Sequence, residues 1–306
     1  MENNCKFVSS RGILKSCDFH SSNPMSSWCY DTNYLENMCQ SNNMYNGMSI
    51  YICNDVIPFF LNNILPKINH HFYLISGDSD ATVPNGFIYL FNNPIKLEET
   101  ICLEILNNQK LIKWYSQNCI LIHPKIHQLP IGLDYHTISN DPSKFWRDND
   151  EGSSPKIQEM ILKNIIQNMS PFYQRKNKIF VQMTIENEEC HRRKALNQIP
   201  EELLEINSNK MPRTNVWKEI INYSFAFSPY GNGPDCHRHW ELLSLGCIPI
   251  IKSFGSNSMF EDLPVLIVNE WSDINRKLLD DTLEKFKYTN FNYDKLLLKY
   301  WVDKFS

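Results

Sequence analysis

The sequence predicts an α/β protein with two parallel-sheet domains facing each other across a cleft. Residues 224–251 read SFAFSPYGNGPDCHRHWELLSLGCIPII: an apolar run, a glycine loop, a helical pattern and a second apolar run. This order is the βαβ unit of a doubly wound sheet. Short apolar runs and helical patterns alternate elsewhere, and 306 residues suffice for two domains of ordinary size.

The N-terminal part repeats the alternation after residue 47. Residues 1–47 are polar and without a clear period, so they predict irregular structure with one short helix, anchored by Trp28 and Tyr30. Apolar runs then predict strands at 49–53, 72–76, 111–115 and 119–122. Helical periods predict helices at 54–65 and 97–107, and 129–136 is predicted as a strand tip with its loop.

A turn-rich, charged stretch at 140–155 is the predicted linker, which gives domains 1–150 and 151–286. The second domain is predicted to hold helices at 156–168, 188–198 and 216–222, and strands at 178–183 and 265–268. Ser272 is the predicted N-cap of a helix over 273–286. Residues 287–306 end in an amphipathic stretch that is predicted to pack back on the first domain.

Charge and composition exclude some classes of function. A formal net charge of −4 argues against a nucleic-acid binder that works by general electrostatics. The sequence has no 18-residue apolar run, so no membrane span is expected, and its first residues lack a signal-peptide core. We therefore expect a cytoplasmic protein with reduced cysteines. Zinc on Cys236, His237, His239 and Cys247 is disfavoured, because Cys247 begins the next strand.

The glycine loop and the helix after it suit a bound diphosphate. Glycines allow close approach of backbone amides, and a helix N-terminus attracts anions. Arg238 lies one turn inside this helix and is suited to phosphate oxygens, while Glu241 is suited to the hydroxyls of a ribose. The alternative is a surface helix with an ion pair between these two residues.

These residues also carry a resemblance. The patterns Ser228-Pro229-x-Gly231-x-Gly233, Cys236-His237-Arg238-x-Trp240-Glu241 and Leu245-Gly246-Cys247-Ile248-Pro249-Ile250 resemble the signature of exostosin-type (family 47-like) glycosyltransferases. Residues 263–265 and 270–274 resemble the family's downstream motifs. The likeness covers roughly residues 175–275 and is greatest to the exostosin-like proteins of large DNA viruses and algae. His237 departs from it, because many exostosins carry a serine there.

The resemblance implies a GT-B fold and an inverting, metal-independent transfer from a nucleotide sugar, with a UDP-sugar favoured, to a glycan or other hydroxyl acceptor. The nucleotide sugar would be a co-substrate, with no other cofactor and no metal ion. For a viral chain, the compartment implied is the host cytoplasm. The donor would lie on residues 151–286 and the acceptor on residues 1–150. The implied donor-binding residues are Ser228, Gly231, Asn232, Gly233, Asp235, His237, Arg238, Glu241 and Arg193, with Arg192 as the alternative to Arg193.

Inverting transfer also needs a general base, which is expected from the N-terminal domain. The candidates follow predicted strands: Asp78 and Asp80 after one, Asp134 and His136 after another. Each Asp also suits a turn cap. Two other functions stay open: a non-catalytic nucleotide- or glycan-binding protein, and a metal-dependent transferase that uses Asp78-Ser79-Asp80 as a DxD motif.

Overall fold

A computed structural model describes residues 2–22, 24, 31–41, 43–90, 93–141, 154–183, 190–255 and 257–306. The anchors Trp28 and Tyr30 lie outside these ranges, as does most of the linker predicted at 140–155. The division into domains at residue 150 falls in the same gap and stays a prediction.

The N-terminal half is built around one parallel sheet. Its four strands have the order β1-β2-β5-β6, and β3 and β4 form a separate antiparallel hairpin. Helical turns of other types, Asn54–Val56 before it and Phe60–Ile64 and Leu65–Lys67 after it, extend α3 on both sides. The elements are α1 (Ser10–Leu14), α2 (Asn33–Gln40), β1 (Met48–Cys53), α3 (Ile57–Phe59), β2 (Phe72–Gly77), β3 (Phe87–Leu90), β4 (Asn93–Lys96), α4 (Glu99–Leu106), β5 (Leu111–Gln117), β6 (Ile126–Leu129) and α5 (His136–Asn140).

The C-terminal half holds a second parallel sheet, of five strands in the order β11-β10-β9-β7-β8. The fold prediction is thereby confirmed: the protein is α/β with two Rossmann-like parallel sheets. The elements are α6 (Pro155–Gln167), β7 (Lys176–Val181), α7 (His191–Leu196), β8 (Leu204–Ile206), α8 (Arg213–Ile220), β9 (Tyr223–Phe227), α9 (His237–Ser244), β10 (Ile248–Lys252), β11 (Leu266–Val268), α10 (Arg276–Lys287) and α11 (Leu298–Val302).

Burial on both faces explains why the central strands are continuous apolar runs. All five residues of β9 are buried, as expected for a parallel strand covered by helices on each side. Trp240 and Leu243 of α9 are also buried. A hydrophobic cluster joins side chains of both sheets, among them Ile75 and Ala226, with Trp240 of α9. The two halves therefore share a core.

Three local predictions are wrong. Residues 1–47 hold two short α-helices, α1 and α2, where one was predicted. Residues 119–122 do not form a strand; Cys119 makes one isolated bridge with Val83, and Ile122 is 89% exposed. The fourth strand begins instead at Ile126. Ser272 does not cap a long helix, because it lies in a short 3-10 turn; the cap of α10 is Asn275, whose side chain accepts from the amide of Leu278 at 2.9 Å.

The C-terminal segment contacts the N-terminal segment and the first sheet. The amide of Leu298 donates to the carbonyl of Lys6, and the amide of Val8 donates to the carbonyl of Leu296, both at 2.9 Å. The ring of Phe305 lies 5.9 Å from that of Tyr115. In the described part of the chain, no helix is both long and apolar enough to cross a membrane.

Candidate active site

The candidate site lies where the carboxyl ends of the two sheets meet. The loop after β6 contacts the loop before α9: the amide of Ile131 donates to Oδ2 of Asp235 at 2.7 Å. Gly132 has a φ of +65°, and a Cβ there would lie 2.3 Å from the carbonyl oxygen of Val8. Glycine is required at this position, and its carbonyl lies 2.7 Å from Nδ1 of His237.

A cavity of about 360 Å³ opens at this junction. Five of the residues predicted for the site line it: Asp134, Gly231, His237, Arg238 and Glu241. Larger cavities lie elsewhere. Two are of about 710 Å³ each, one beside β6 and the C-terminal segment and one between α6 and α8, and a third, of about 390 Å³, lies beside β8. We place the functional site in the smaller cavity because buried, perturbed ionisable groups from both halves converge there.

Arg238 and Glu241 form the charged wall of the cavity. Nε and Nη2 of Arg238 are buried and have no hydrogen-bond partner among the described residues. Burial lowers the pKa of Arg238, while Glu241 acts in the opposite direction. Burial raises the pKa of Glu241, opposed by Arg213 and Arg238. A buried guanidinium with unmet donors is suited to an anionic ligand.

Asp134, His136 and His237 form a second polar group at the cavity. Nδ1 of His136 lies 3.3 Å from Oδ1 of Asp134, which also accepts from the amide of Thr137 at 2.9 Å. Burial works to raise the pKa of Asp134, but His237, His136, the Thr137 amide and Arg213 together lower it to about 2. Burial lowers the pKa of His136, opposed by Asp134. The carboxylate is therefore ionised and the His136 ring neutral at neutral pH.

Asp235 lies behind the cavity. Its carboxylate is fully buried and accepts from Trp240 Nε1 at 2.9 Å and from the Ile131 amide, and it lies 3.4 Å from His239 Nδ1. His239 Nε2 lies 3.3 Å from Cys236 Sγ. Burial works to lower the pKa of His239, but Cys236 and Asp235 together raise it to about 10. Asp235, predicted to bind the donor, instead joins the two halves.

Other predicted residues lie outside the cavity. Asp78 is ion-paired with Arg11 at 2.9 Å, with both side chains at most 5% exposed, whereas Asp80 is exposed. Arg193 lines a separate cavity beside β8. Gly233 packs against Asp80 and Asn118, Asn232 is exposed, and Ser228 is completely buried.

Two cavity residues were missed or placed second. Arg213 begins α8; it donates to the carbonyl of Asp134 at 2.6 Å and lies 3.8 Å from Oε1 of Glu241. Its position in Met211-Pro212-Arg213, at the start of a helix, was the available signal. Arg192 lines the cavity, although Arg193 was preferred. Neighbouring helical residues point about 100° apart, and Arg193 lines the adjoining cavity beside β8.

The fold and the site define a two-sheet α/β protein with a cavity where the carboxyl ends of its two sheets meet. No protein-family model matches the chain, and no curated protein matches it. A solved structure described as "Crystal structure of GtfA/B complex" matches with 11% sequence identity and a TM-score of 0.32. The match covers 90% of this chain and 57% of that chain. So loose a match carries no argument about activity, which is therefore argued from the site residues.

Proposed function

We propose that the protein is a glycosyltransferase that binds a nucleotide sugar in the cavity at the start of α9. The observation that carries the proposal is Arg238, whose buried Nε and Nη2 atoms have no partner among the described residues. A buried, unsatisfied guanidinium is costly in the free protein, and a diphosphate would supply the missing acceptors. The resemblance of residues 175–275 to exostosin-type enzymes supports the same ligand.

In this proposal the diphosphate lies against Arg238, Arg192 and the backbone amides of the first turn of α9. These groups neutralise the charge of the leaving nucleoside diphosphate without a metal ion. The carboxylate of Glu241 accepts the hydroxyls of the ribose. UDP is proposed over other nucleotides on the resemblance alone, as is inversion at the sugar.

The acceptor hydroxyl is activated by the group formed by Asp134, His136 and His237. Nδ1–H of His237 donates to the carbonyl of Gly132, so Nε2 is the ring nitrogen left to act as the base. We propose that Nε2 takes the acceptor proton while the acceptor oxygen bonds to the anomeric carbon and the bond to the diphosphate breaks. Asp134 and His136 set the charge around this ring.

The DxD alternative is disfavoured by the contacts of its first carboxylate. Asp78 is buried against Arg11, whereas Asp80 is exposed, so a metal ion would have to displace a buried ion pair. A non-catalytic nucleotide-binding protein would use the same Arg238 and Glu241. It differs from the proposed enzyme in turnover alone.

The test is calorimetry of the full chain, with a chelator present, against UDP, GDP, CDP and ADP. We expect UDP to bind most tightly. Arg238→Ala and Glu241→Ala should each weaken UDP by about 10- to 100-fold, equivalent to about 1.5–3 kcal/mol for a charged hydrogen bond. UDP affinity that is insensitive to both substitutions would refute the donor site.

Turnover separates an enzyme from a binding protein. We expect slow hydrolysis of a UDP-sugar by the wild type, and His237→Ala should lower kcat by about 100-fold or more with little change in UDP affinity. Equal hydrolysis by the wild type and His237→Ala would refute His237 as the base. UDP binding with no turnover of any UDP-sugar would indicate the non-catalytic alternative.

A further inference from the structure

Two histidines and one aspartate meet at the junction of the two halves. Asp134 and His136 follow β6, and His237 is the first residue of α9. One ligand-type atom from each lies within 4.8 Å of the other two. Among the residues that the structure describes, this is the group of three or more His, Cys, Asp or Glu side chains close enough to share a metal ion.

Besides facing one another, these side chains make the kind of orienting hydrogen bonds that metal ligands make. His237 holds the carbonyl of Gly132 with Nδ1 at 2.7 Å, which fixes its ring and leaves Nε2 available. Oδ1 of Asp134 is held by the amide of Thr137. Nδ1 of His136 is buried and makes no hydrogen bond with the described residues, although it lies 3.3 Å from Oδ1 of Asp134. A cation bound between them would give Nδ1 of His136 the partner that it lacks.

The donor set and spacing select the kind of ion. Two imidazoles and one carboxylate suit Zn²⁺ and Co²⁺, whereas Mg²⁺ and Ca²⁺ need more oxygen ligands. Bonds of about 2.0–2.1 Å in a tetrahedron place neighbouring ligand atoms about 3.4 Å apart, close to the separation of His136 and Asp134. Asp134 and His237 line the cavity, so a fourth, open position would face it.

We propose that Asp134, His136 and His237 bind a divalent transition-metal ion of the Zn²⁺ type, with an open position toward the cavity. The site goes beyond the proposed glycosyl transfer and does not depend on it. Where His237 is also the base, as proposed above, the ion takes up the lone pair that receives the acceptor proton. Zn²⁺ would then inhibit transfer, and a chelator would restore it.

The test is a titration of the chelator-treated full chain with Co²⁺, without nucleotide. We expect visible absorption bands of a four-coordinate cobalt ion, saturating at one ion per chain. His136→Gln and His237→Ala should each weaken Co²⁺ by more than tenfold, because even losing a supporting contact of a metal ligand costs about 10- to 100-fold. His127→Ala is the matched control, since His127 lines a different cavity, and its affinity should equal that of the wild type.

Circular dichroism of each variant shows whether it is folded, and thermal unfolding gives a second measurement. Saturating Zn²⁺ should raise the Tm of the wild type and leave that of His237→Ala unchanged, because an ion that binds only the native state stabilises it. Absence of the cobalt bands, or bands kept in both folded histidine variants, would overturn the site. So would a sulfur-to-cobalt band that disappears in Cys236→Ser, since the ion would then lie on Cys236 and His239.

The two proposals fail in different experiments. Cobalt binding without UDP binding would keep the metal site and refute the nucleotide site. UDP binding without cobalt binding would keep the nucleotide site and refute the metal site. Transfer that proceeds unchanged with the site saturated by Zn²⁺ would refute His237 as the base and leave the metal site in place.

Discussion

Two polar clusters at the start of α9 differ in how completely the protein satisfies them. The partnered cluster consists of Asp235, His239 and Trp240, whose polar atoms bond to one another or to the backbone. The cavity cluster consists of Arg238 and Glu241, and two nitrogens of Arg238 have no partner among the described residues. The first cluster is buried, the second is partly buried, and both come from one motif. The difference indicates that the first stabilises the fold and the second awaits a ligand.

The largest expected effect is on the partnered cluster. Asp235→Ala removes the acceptor of Trp240 Nε1 and of the Ile131 amide, and it removes the carboxylate beside the buried His239. We expect the free energy of unfolding to fall by about 3–5 kcal/mol, the usual cost of breaking a buried ion pair. Chemical denaturation measures it.

The matched control is Asp281→Ala, which breaks the exposed pair with Lys277. It should change the free energy of unfolding by less than about 0.5 kcal/mol. A loss below about 1 kcal/mol in Asp235→Ala would contradict the role given to the partnered cluster.

Asp78 and Asp80 allow the same comparison, of a partnered with an exposed carboxylate, in the N-terminal half. Asp78→Ala removes the buried ion pair with Arg11 and should lower the free energy of unfolding by about 3 kcal/mol. Asp80→Ala removes an exposed carboxylate and should change it by less than about 0.5 kcal/mol. Calorimetry with UDP should give the wild-type affinity for both. Loss of UDP binding in Asp80→Ala would instead favour the DxD motif.

Local patterns predicted most of the fold. A buried parallel strand is apolar on both faces, and the βαβ unit has its own glycine loop, so both can be recognised within about thirty residues. Strand β8 and the hairpin of β3 and β4 were missed, a strand was predicted at 119–122 where none forms, and only the end of β6 was predicted, as the strand tip at residue 129. These strands are short, and Ile122 is apolar but exposed. Their positions depend on tertiary pairing more than on propensity.

The site was predictable only where its residues belong to one local motif. Arg238 and Glu241 belong to one helix and one motif, whereas the role of Asp235 depends on Ile131, which lies 104 residues away. The sequence placed Asp134 and His136 together but could not show that His237 meets them. No local pattern distinguishes a carboxylate that has partners from one that does not.

Substitution of Arg192 or Arg193 tests which side chains of the cavity bind UDP, and the expected effect is smaller than those above. Arg192 lines the cavity with Arg238, and Arg193 lines a different one. Arg192→Ala should weaken UDP by about 5- to 10-fold, or about 1–1.4 kcal/mol. Arg193→Ala should leave UDP affinity unchanged. Calorimetry measures the UDP affinity of both variants. A larger loss in Arg193→Ala than in Arg192→Ala would place Arg193, not Arg192, in the donor site.

The smallest expected effect concerns two buried serines, Ser224 in β9 and Ser228 directly after it. Oγ of Ser224 donates to the carbonyl of Phe172 at 2.8 Å, whereas Oγ of Ser228 has no partner among the described residues. Ser224→Ala should lower the free energy of unfolding by about 1 kcal/mol, and Ser228→Ala should leave it unchanged or raise it by up to about 1 kcal/mol.

Ser228 is completely buried and does not line the cavity, so Ser228→Ala should bind UDP like the wild type. A tenfold loss would instead mean that the hydroxyl turns toward the donor when it binds, as the resemblance implies. A stability loss equal to that of Ser224→Ala would mean that Ser228 already has a partner. Either result would show that Ser228 Oγ has a hydrogen-bond partner. The unpartnered nitrogens of Arg238 would then be the main evidence for a ligand at the start of α9.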